Sequence, residues 1–256
     1  MAARRIRMQQ RLNNLTLRRE RTFRNRVNPL ETYVTNELYD RFRFTRQGIM
    51  FIANLIHGSL RNQTQRSFAV PPIIKLLLTL RFLATGSFQI VIGDDCGISQ
   101  PTVCCIVWKV ITAIAALAPQ FIKYPRDRQS RADIARQFYQ IAGMPNVISL
   151  IDCTHIRIQR PWNNEDVFVN RKNYHSVNSQ ATMDCNFKYT SVTAKYPGSM
   201  HDSAILQESA LYEFHQSSPN EGYLLGDSGY PCKHWLLTPY LNPAIGSPEE
   251  KFNRYV

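Results

Sequence analysis

Six cysteines lie at positions 96, 104, 105, 153, 185 and 232, and no two are spaced as a CxxC pair. That absence excludes the common structural zinc spacings and leaves free thiols as the expectation. Free thiols belong in a reducing compartment, so the cytosol or the nucleus is expected. Acids are scarce too: 19 Asp and Glu stand against 31 Lys and Arg, for a net charge of +12 over 256 residues. Such a surplus favours polyanions, nucleic acid above all, although a merely basic solvated surface gives the same count. Long hydrophobic runs are also missing. The apolar stretch around Pro71–Ala84 is short and is interrupted by Lys75 and Arg81, so no bilayer-spanning segment and no membrane partner are expected. No secretory leader is expected either, because MAARRIRMQQ continues into further arginines.

Residues 1–26 hold nine arginines and one acid, Glu20. This composition predicts a basic arm, taken as residues 1–35, without order of its own. Clusters such as Arg4-Arg5 and Arg18-Arg19 suit a nuclear address or a phosphate-binding tail, or simply a solvated terminus. Residues 36–143 read as helical, and strand signals there are few. Phe51, Leu55 and Ile56 fall on one predicted helical face, and Ile74, Leu77, Leu78 and Phe82 on the next. Then GSFQIVIGDDCGISQPTVCCIVWKVITAI places Gly97 in a turn, Ser99 at a helix cap and Pro101 in the first turn. Its length and turn suit a helix-turn-helix. The candidate recognition helix offers Gln100, Thr102 and Lys109 but no arginine, and a purely structural helical hairpin fits as well.

From Met144 the pattern changes to short segments rich in β-branched and aromatic residues: IDCTHIRI, SQATMDCN, YTSVTAKYP and GYLLGDS. Segment 203–217 reads as one helix, and WLLTPY follows the last of these strands. The fold class is therefore α/β, a helical N-terminal region followed over 144–256 by a mixed sheet. That series is compatible with a ribonuclease-H-like sheet and with other α/β arrangements.

Three aspartates stand where strands end or turn: Asp152, Asp202 and Asp227, with Asp184 expected inside a strand. Asp152 sits within VISLIDCTHIRI, where an ionised carboxylate is costly unless it is paired or binds a cation. Carboxylates from separate strands are the hard oxygen donors that Mg²⁺ or Mn²⁺ requires in phosphodiester cleavage. Each also has a structural reading: Asp152 paired with Arg157 or Lys172, Asp202 capping a helix from Ser203, and Asp227 shaping the turn before Gly229.

The ordered segments GMPNVISLIDCTHIRI, VNRKNYHSVNSQ, YPGSMHDSAIL, GYLLGDSGYP and WLLTPY resemble the transposase-derived nucleases of the PIF/Harbinger family. The upstream GSFQIVIGDDCGISQPTV resembles that family's N-terminal region, so the likeness covers most of the chain after about residue 45. The resemblance implies a ribonuclease-H-like catalytic domain and a metal-dependent DNA endonuclease that uses Mg²⁺ or Mn²⁺. It implies Asp152 and Asp227 as catalytic acids, and Asp152, Asp202 and Asp227 as metal ligands. Asn170, Arg171, Lys172 and His175 match a further family segment, as DNA-facing or supporting residues. DNA and a Myb-like protein are the implied partners.

One departure stands out. The family's last acid is a glutamate on a helix beyond the Phe252-Asn253 segment, and this sequence ends at Val256. Glu249 and Glu250 are candidates by residue type only. The expectation is a truncated catalytic domain, and a DNA-binding protein without catalysis is the alternative it leaves open.

Overall fold

The computed structural model describes residues 26–62, 64, 68–217 and 221–254. Most of the basic arm, residues 1–25, lies outside them. The chain divides into two compact units, Met1–Leu117 and Ala118–Val256.

The first unit is helical. Its elements are α1 (Pro29–Thr32), α2 (Thr35–Phe42), α3 (Arg46–Leu60), α4 (Pro72–Thr85), α5 (Gln89–Cys96) and α6 (Gln100–Ala115). The end of the predicted arm is thus folded: Asn28 caps α1, and Leu30 is buried in the core. The inward face of α3 is Ile49, Ile56 and Leu60, whereas Phe51 and Leu55 are exposed. Ile56 alone of the three predicted residues points inward, because tertiary contact chose the neighbouring stripe. On α4, Ile74, Leu77 and Leu78 are buried as expected, with Phe82 partly buried against the same cluster.

Helix α5 ends at Gly97, whose φ of 63° accepts the left-handed turn that opens the way to α6. Ser99 stands at the N-cap of α6 and Pro101 in its first turn. The Ser99 hydroxyl bonds the Thr102 hydroxyl at 2.9 Å rather than a backbone amide. Val103, Ile106, Val107 and Val110 are buried, and α6 packs against α3, α4 and α5. Contrary to the expectation drawn from Pro71–Ala84, the stretch Gln100–Phe121 is long and apolar enough, by length and composition only, to cross a membrane. Its buried valines and isoleucine show that one face serves the helical core.

The second unit opens with α7 (Ala118–Phe121) and α8 (Arg128–Ala142). Asp127 caps α8 by accepting from Ser130 N at 2.8 Å. Although its sequence reads as part of the helical region, α8 packs against the sheet, burying Phe138 beside Val147 and Leu225. The sheet contains β1 (Val147–Arg157), β2 (Ser176–Met183), β3 (Tyr189–Pro197), β4 (Tyr223–Gly226) and β5 (Leu236–Leu237). Their order is β3-β2-β1-β4-β5. The first three are antiparallel neighbours, and β4 and β5 run parallel to β1.

Between β3 and β4 lie α9 (Asp202–Gln207) and α10 (Ala210–Ser217), two helices where the pattern suggested one. Ser209 makes the break: its hydroxyl donates to Leu206 O at 2.6 Å and accepts from Tyr212 N at 3.2 Å. Leu206 and Leu211 pack with Ile148, Ile151, Leu224, Trp235 and Leu236 in the unit's main apolar cluster. The last element is α11 (Pro248–Asn253), tied to Tyr240 by both polar atoms of the Asn253 amide at 2.8 Å each.

Candidate active site

The site grows from the one parallel pairing at the centre of the sheet. Ile151 of β1 stands opposite Gly226, the last residue of β4. The next residue on each strand is an aspartate, so Asp152 and Asp227 leave that register side by side. Beyond Ile151, β1 continues on β2 alone, with Asp152 opposite Ala181. The end of β4 therefore frees one flank of β1 just where its acid stands.

Asp152 accepts from Cys153 N at 2.7 Å. Partial burial of its carboxyl raises its pKa; the charges of Asp227 and Asp202 add to this, and the Cys153 amide opposes it. No ion pair joins Asp152 to Arg157 or Lys172 among the described residues. Arg157 instead lies over the Tyr174 ring, 4.4 Å from its centroid.

Asp202 is the first residue of α9, and His201 occupies the N-cap without a side-chain capping bond. Its carboxylate is held from β2: Asn178 Nδ2 donates to Asp202 Oδ1 at 3.0 Å and to Met200 O at 3.1 Å. Asp227 does shape its turn, because Gly229 N donates to Asp227 Oδ1 at 3.0 Å. A β-carbon added to Gly229 would lie 3.1 Å from Asp227 Oδ1 and 3.2 Å from Asp202 Oδ2. Gly229 is thus the floor between two carboxylates that sequence places 25 residues apart. The three predicted aspartates share one neighbourhood.

Asp184 does not join it. It follows β2 in the turn to β3, where its Oδ1 accepts from Asn186 N at 2.8 Å and Lys188 N at 3.0 Å. Glu249 and Glu250 lie on α11, and Glu250 bonds Gly246 N and pairs with Arg254.

Two groups beside the acids were not apparent in the sequence. Cys153 Sγ contacts Tyr230 Oη at 3.1 Å, and Tyr230 is buried. Burial first, then the charges of Asp202 and Asp152, push the Cys153 thiol up to about 12, and Tyr230 is raised by burial and by Cys153. Both stay neutral near pH 7, so Cys153 is a packing and hydrogen-bonding group and not a thiolate nucleophile.

The segment Asn170–His175 lies in the loop between β1 and β2. Asn170 is buried, donates from Nδ2 to Ser176 Oγ at 2.9 Å and accepts from Lys172 N at 2.9 Å. Arg171 and Lys172 are exposed on the turn it holds. His175 Nε2 pairs with Glu165 Oε1 at 2.9 Å.

By chemistry the donors suit a hard cation. All three are carboxylates; Asp152 is raised by burial first and then by the charges of Asp227 and Asp202, a repulsion that a divalent ion would relieve. Among the described residues, however, no three His, Cys, Asp or Glu side chains stand close enough to surround one ion.

Residues 151–256 match the family model described as DDE superfamily endonuclease. The chain is 40% identical over 224 residues to "Putative nuclease HARBI1" of Mus musculus, covering 86% of this chain and 64% of that protein. The Homo sapiens protein of the same name is 39% identical over 209 residues, 80% of this chain and 60% of that one. "Protein ALP1-like" of Arabidopsis thaliana is 30% identical over 198 residues, 70% of this chain and 48% of that protein. The chain thus spans less than two thirds of the length of these curated relatives. No solved structure matches it. The region that matches the DDE superfamily endonuclease model contains Asp152, Asp202 and Asp227, and the likeness to the HARBI1 proteins runs over most of this chain.

Proposed function

We propose that the protein is a divalent-metal-dependent DNA endonuclease whose sheet unit is ribonuclease-H-like. The observation that carries this reading is the β1–β4 register, which sets Asp152 beside Asp227, with Asp202 across Gly229. The strand order β3-β2-β1-β4-β5 supports the fold assignment. Asp152, Asp202 and Asp227 would hold Mg²⁺ or Mn²⁺, and Asp152 and Asp227 are the catalytic acids. A bound divalent ion would supply charge neutralisation for the attacking and leaving oxygens of the phosphodiester. The chain's own groups keep the donors in place: Asn178 fixes Asp202, Gly229 N fixes one oxygen of Asp227, and Cys153 N fixes one oxygen of Asp152.

The helical unit is read as the DNA-binding part. The turn at Gly97 and the exposed Gln100, Thr102 and Lys109 on α6 support a helix-turn-helix, and the net charge of +12 supports a phosphate-dominated contact. A nuclear site of action and a Myb-like partner follow from the same family reading. A tagged copy that stays cytosolic when such a partner is co-expressed would count against both.

The test is nicking of supercoiled plasmid with Mn²⁺ and with Mg²⁺, in the parent and in Asp152→Asn. Metal-dependent nicking lost in the variant supports the assignment, and equal rates in the two proteins sink it. DNA binding without nicking in either metal would leave the non-catalytic reading in its place.

A further inference from the structure

Trp162 stands wholly in solvent, at 101% relative exposure, in the loop that joins β1 to β2. A large apolar ring is rarely left in water unless a partner covers it. The surrounding loop is well anchored. Ile158 N donates to His175 O at 3.0 Å across its neck, and Ser199 N donates to Val167 O at 3.1 Å. Asn170, buried beneath, holds the turn that carries Arg171 and Lys172. The indole is therefore presented from a fixed frame.

The loop's charge fits one class of partner. Residues 157–175 contain four cations, Arg157, Arg160, Arg171 and Lys172, against two acids, Glu165 and Asp166. Glu165 is already engaged by Arg160 and His175. A net positive loop with a projecting aromatic combines the two elements of single-strand recognition, phosphate attraction and base stacking.

Position matters as well. Arg157 lies five residues beyond Asp152 on the same strand, about 17 Å at a strand's rise per residue. Along one DNA strand that distance is about five nucleotides. Paired bases show a protein only their edges, so an indole can stack only on a base that is unpaired or terminal.

We propose that the β1–β2 loop grips DNA beyond the Arg157 end of β1, its near edge about five nucleotides from Asp152, with Trp162 stacking on an unpaired base. For its substrate class this rests on the endonuclease reading.

The test measures binding of fluorescein-labelled oligonucleotides by anisotropy in chelator, so that no strand is cut. One probe is a fully paired duplex, and the other carries a short unpaired stretch. The parent should prefer the second. Trp162→Ala should weaken that probe about ten-fold while changing the paired duplex less than about two-fold. Trp162→Phe should keep most of the affinity. Replacing Arg171 and Lys172 together by alanine should weaken both probes alike and flatten the salt dependence. Unchanged thermal melting would show that the variants fold, as expected for exposed side chains. The inference is overturned if Trp162→Ala affects both probes equally or neither, or if the parent binds neither. Binding as expected without plasmid nicking would remove the endonuclease reading and leave the loop's role standing. Nicking with Trp162→Ala indistinguishable from the parent on both probes would do the reverse.

Discussion

Asn178 donates to Asp202 across 24 residues of sequence, from a strand position that is 0% exposed. The same amide nitrogen also reaches Met200 O, so one buried side chain fixes both the turn before α9 and the carboxylate that begins it. Asn178→Ala would leave Met200 O and Asp202 short of a donor. The expected loss is about 1–3 kcal/mol of stability, read as a shift in urea midpoint. Nicking should fall further than stability explains, by about 10- to 100-fold, because an oriented ligand is lost. A variant that is destabilised but nicks like the parent would make Asn178 purely structural.

Gly229 gives a sharper variant, because the change adds atoms rather than removing them. Its new methyl would press on Asp227 Oδ1 and Asp202 Oδ2 at 3.1 and 3.2 Å, closer than ordinary contact. Gly229→Ala should therefore spread the two carboxylates while leaving the apolar core intact. The expected result is a near-parental melting temperature with a clear loss of Mn²⁺-induced stabilisation. Parental Mn²⁺ response in this variant would show that the two acids do not share an ion.

Asp152→Asn has a readout that needs no activity. Partial burial, and then the like charges of Asp227 and Asp202, raise the Asp152 pKa, so its ionised form costs stability in the fold. A raised carboxyl contributes most at pH below its unfolded value of about 3.8, and that contribution is lost as pH rises through the folded value. At pH 7 in chelator, Asp152→Asn should thus melt above the parent. Adding Mn²⁺ should raise the parent's melting temperature and barely move the variant's. A variant that melts lower in chelator would mean that the carboxylate, rather than its charge-free shape, is what the fold uses.

The three acids stood out in the sequence for different reasons: Asp152 interrupts the apolar run of β1, Asp202 opens α9 after a turn, and Asp227 follows the short strand β4. The β-branched runs marked the strands but not their limits, β2 starting at Ser176 and ending before Asp184. What the sequence concealed was the polar face of β2. Ser176, Asn178, Gln180 and Thr182 alternate along that strand as a solvent-facing row would, yet all four are buried. Three of them find partners outside the strand: the Asn178 amide nitrogen on Asp202 and Met200 O, Thr182 on Thr190, and Ser176 on Asn170. Gln180 Oε1 has no hydrogen-bond partner among the described residues. Hydropathy alternation reports polarity, and burial of a polar row depends on partners that no local pattern reveals. The Cys153–Tyr230 contact was hidden for the same reason, with 77 residues between its members. The break at Ser209 is different, since serine at a helix cap is a local signal that the strong apolar period of 203–217 outweighed.

His215 supplies a pH test outside the acid cluster. It is fully buried, stacked on Trp235 with ring centroids 5.0 Å apart, and its Nε2 bonds Tyr124 Oη at 2.7 Å. Nδ1 has no hydrogen-bond partner among the described residues. Burial, then the charges of Arg131 and His234, lower its pKa to about 4. A histidine depressed in the fold is neutral there while the unfolded chain still takes up a proton near pH 6.5. Stability is therefore complete above about pH 6.5 and is lost as pH falls toward 4. Between pH 7 and pH 5 this group should remove about 2 kcal/mol of unfolding free energy. His215→Phe keeps a stacked ring on Trp235 but cannot take up the proton. Its urea midpoint at pH 7 should fall, because Tyr124 loses its hydrogen-bond partner, while its decline between pH 7 and pH 5 should be shallower than the parent's by that amount. Parallel declines in the two proteins would show that His215 does not set the acid limit of this unit.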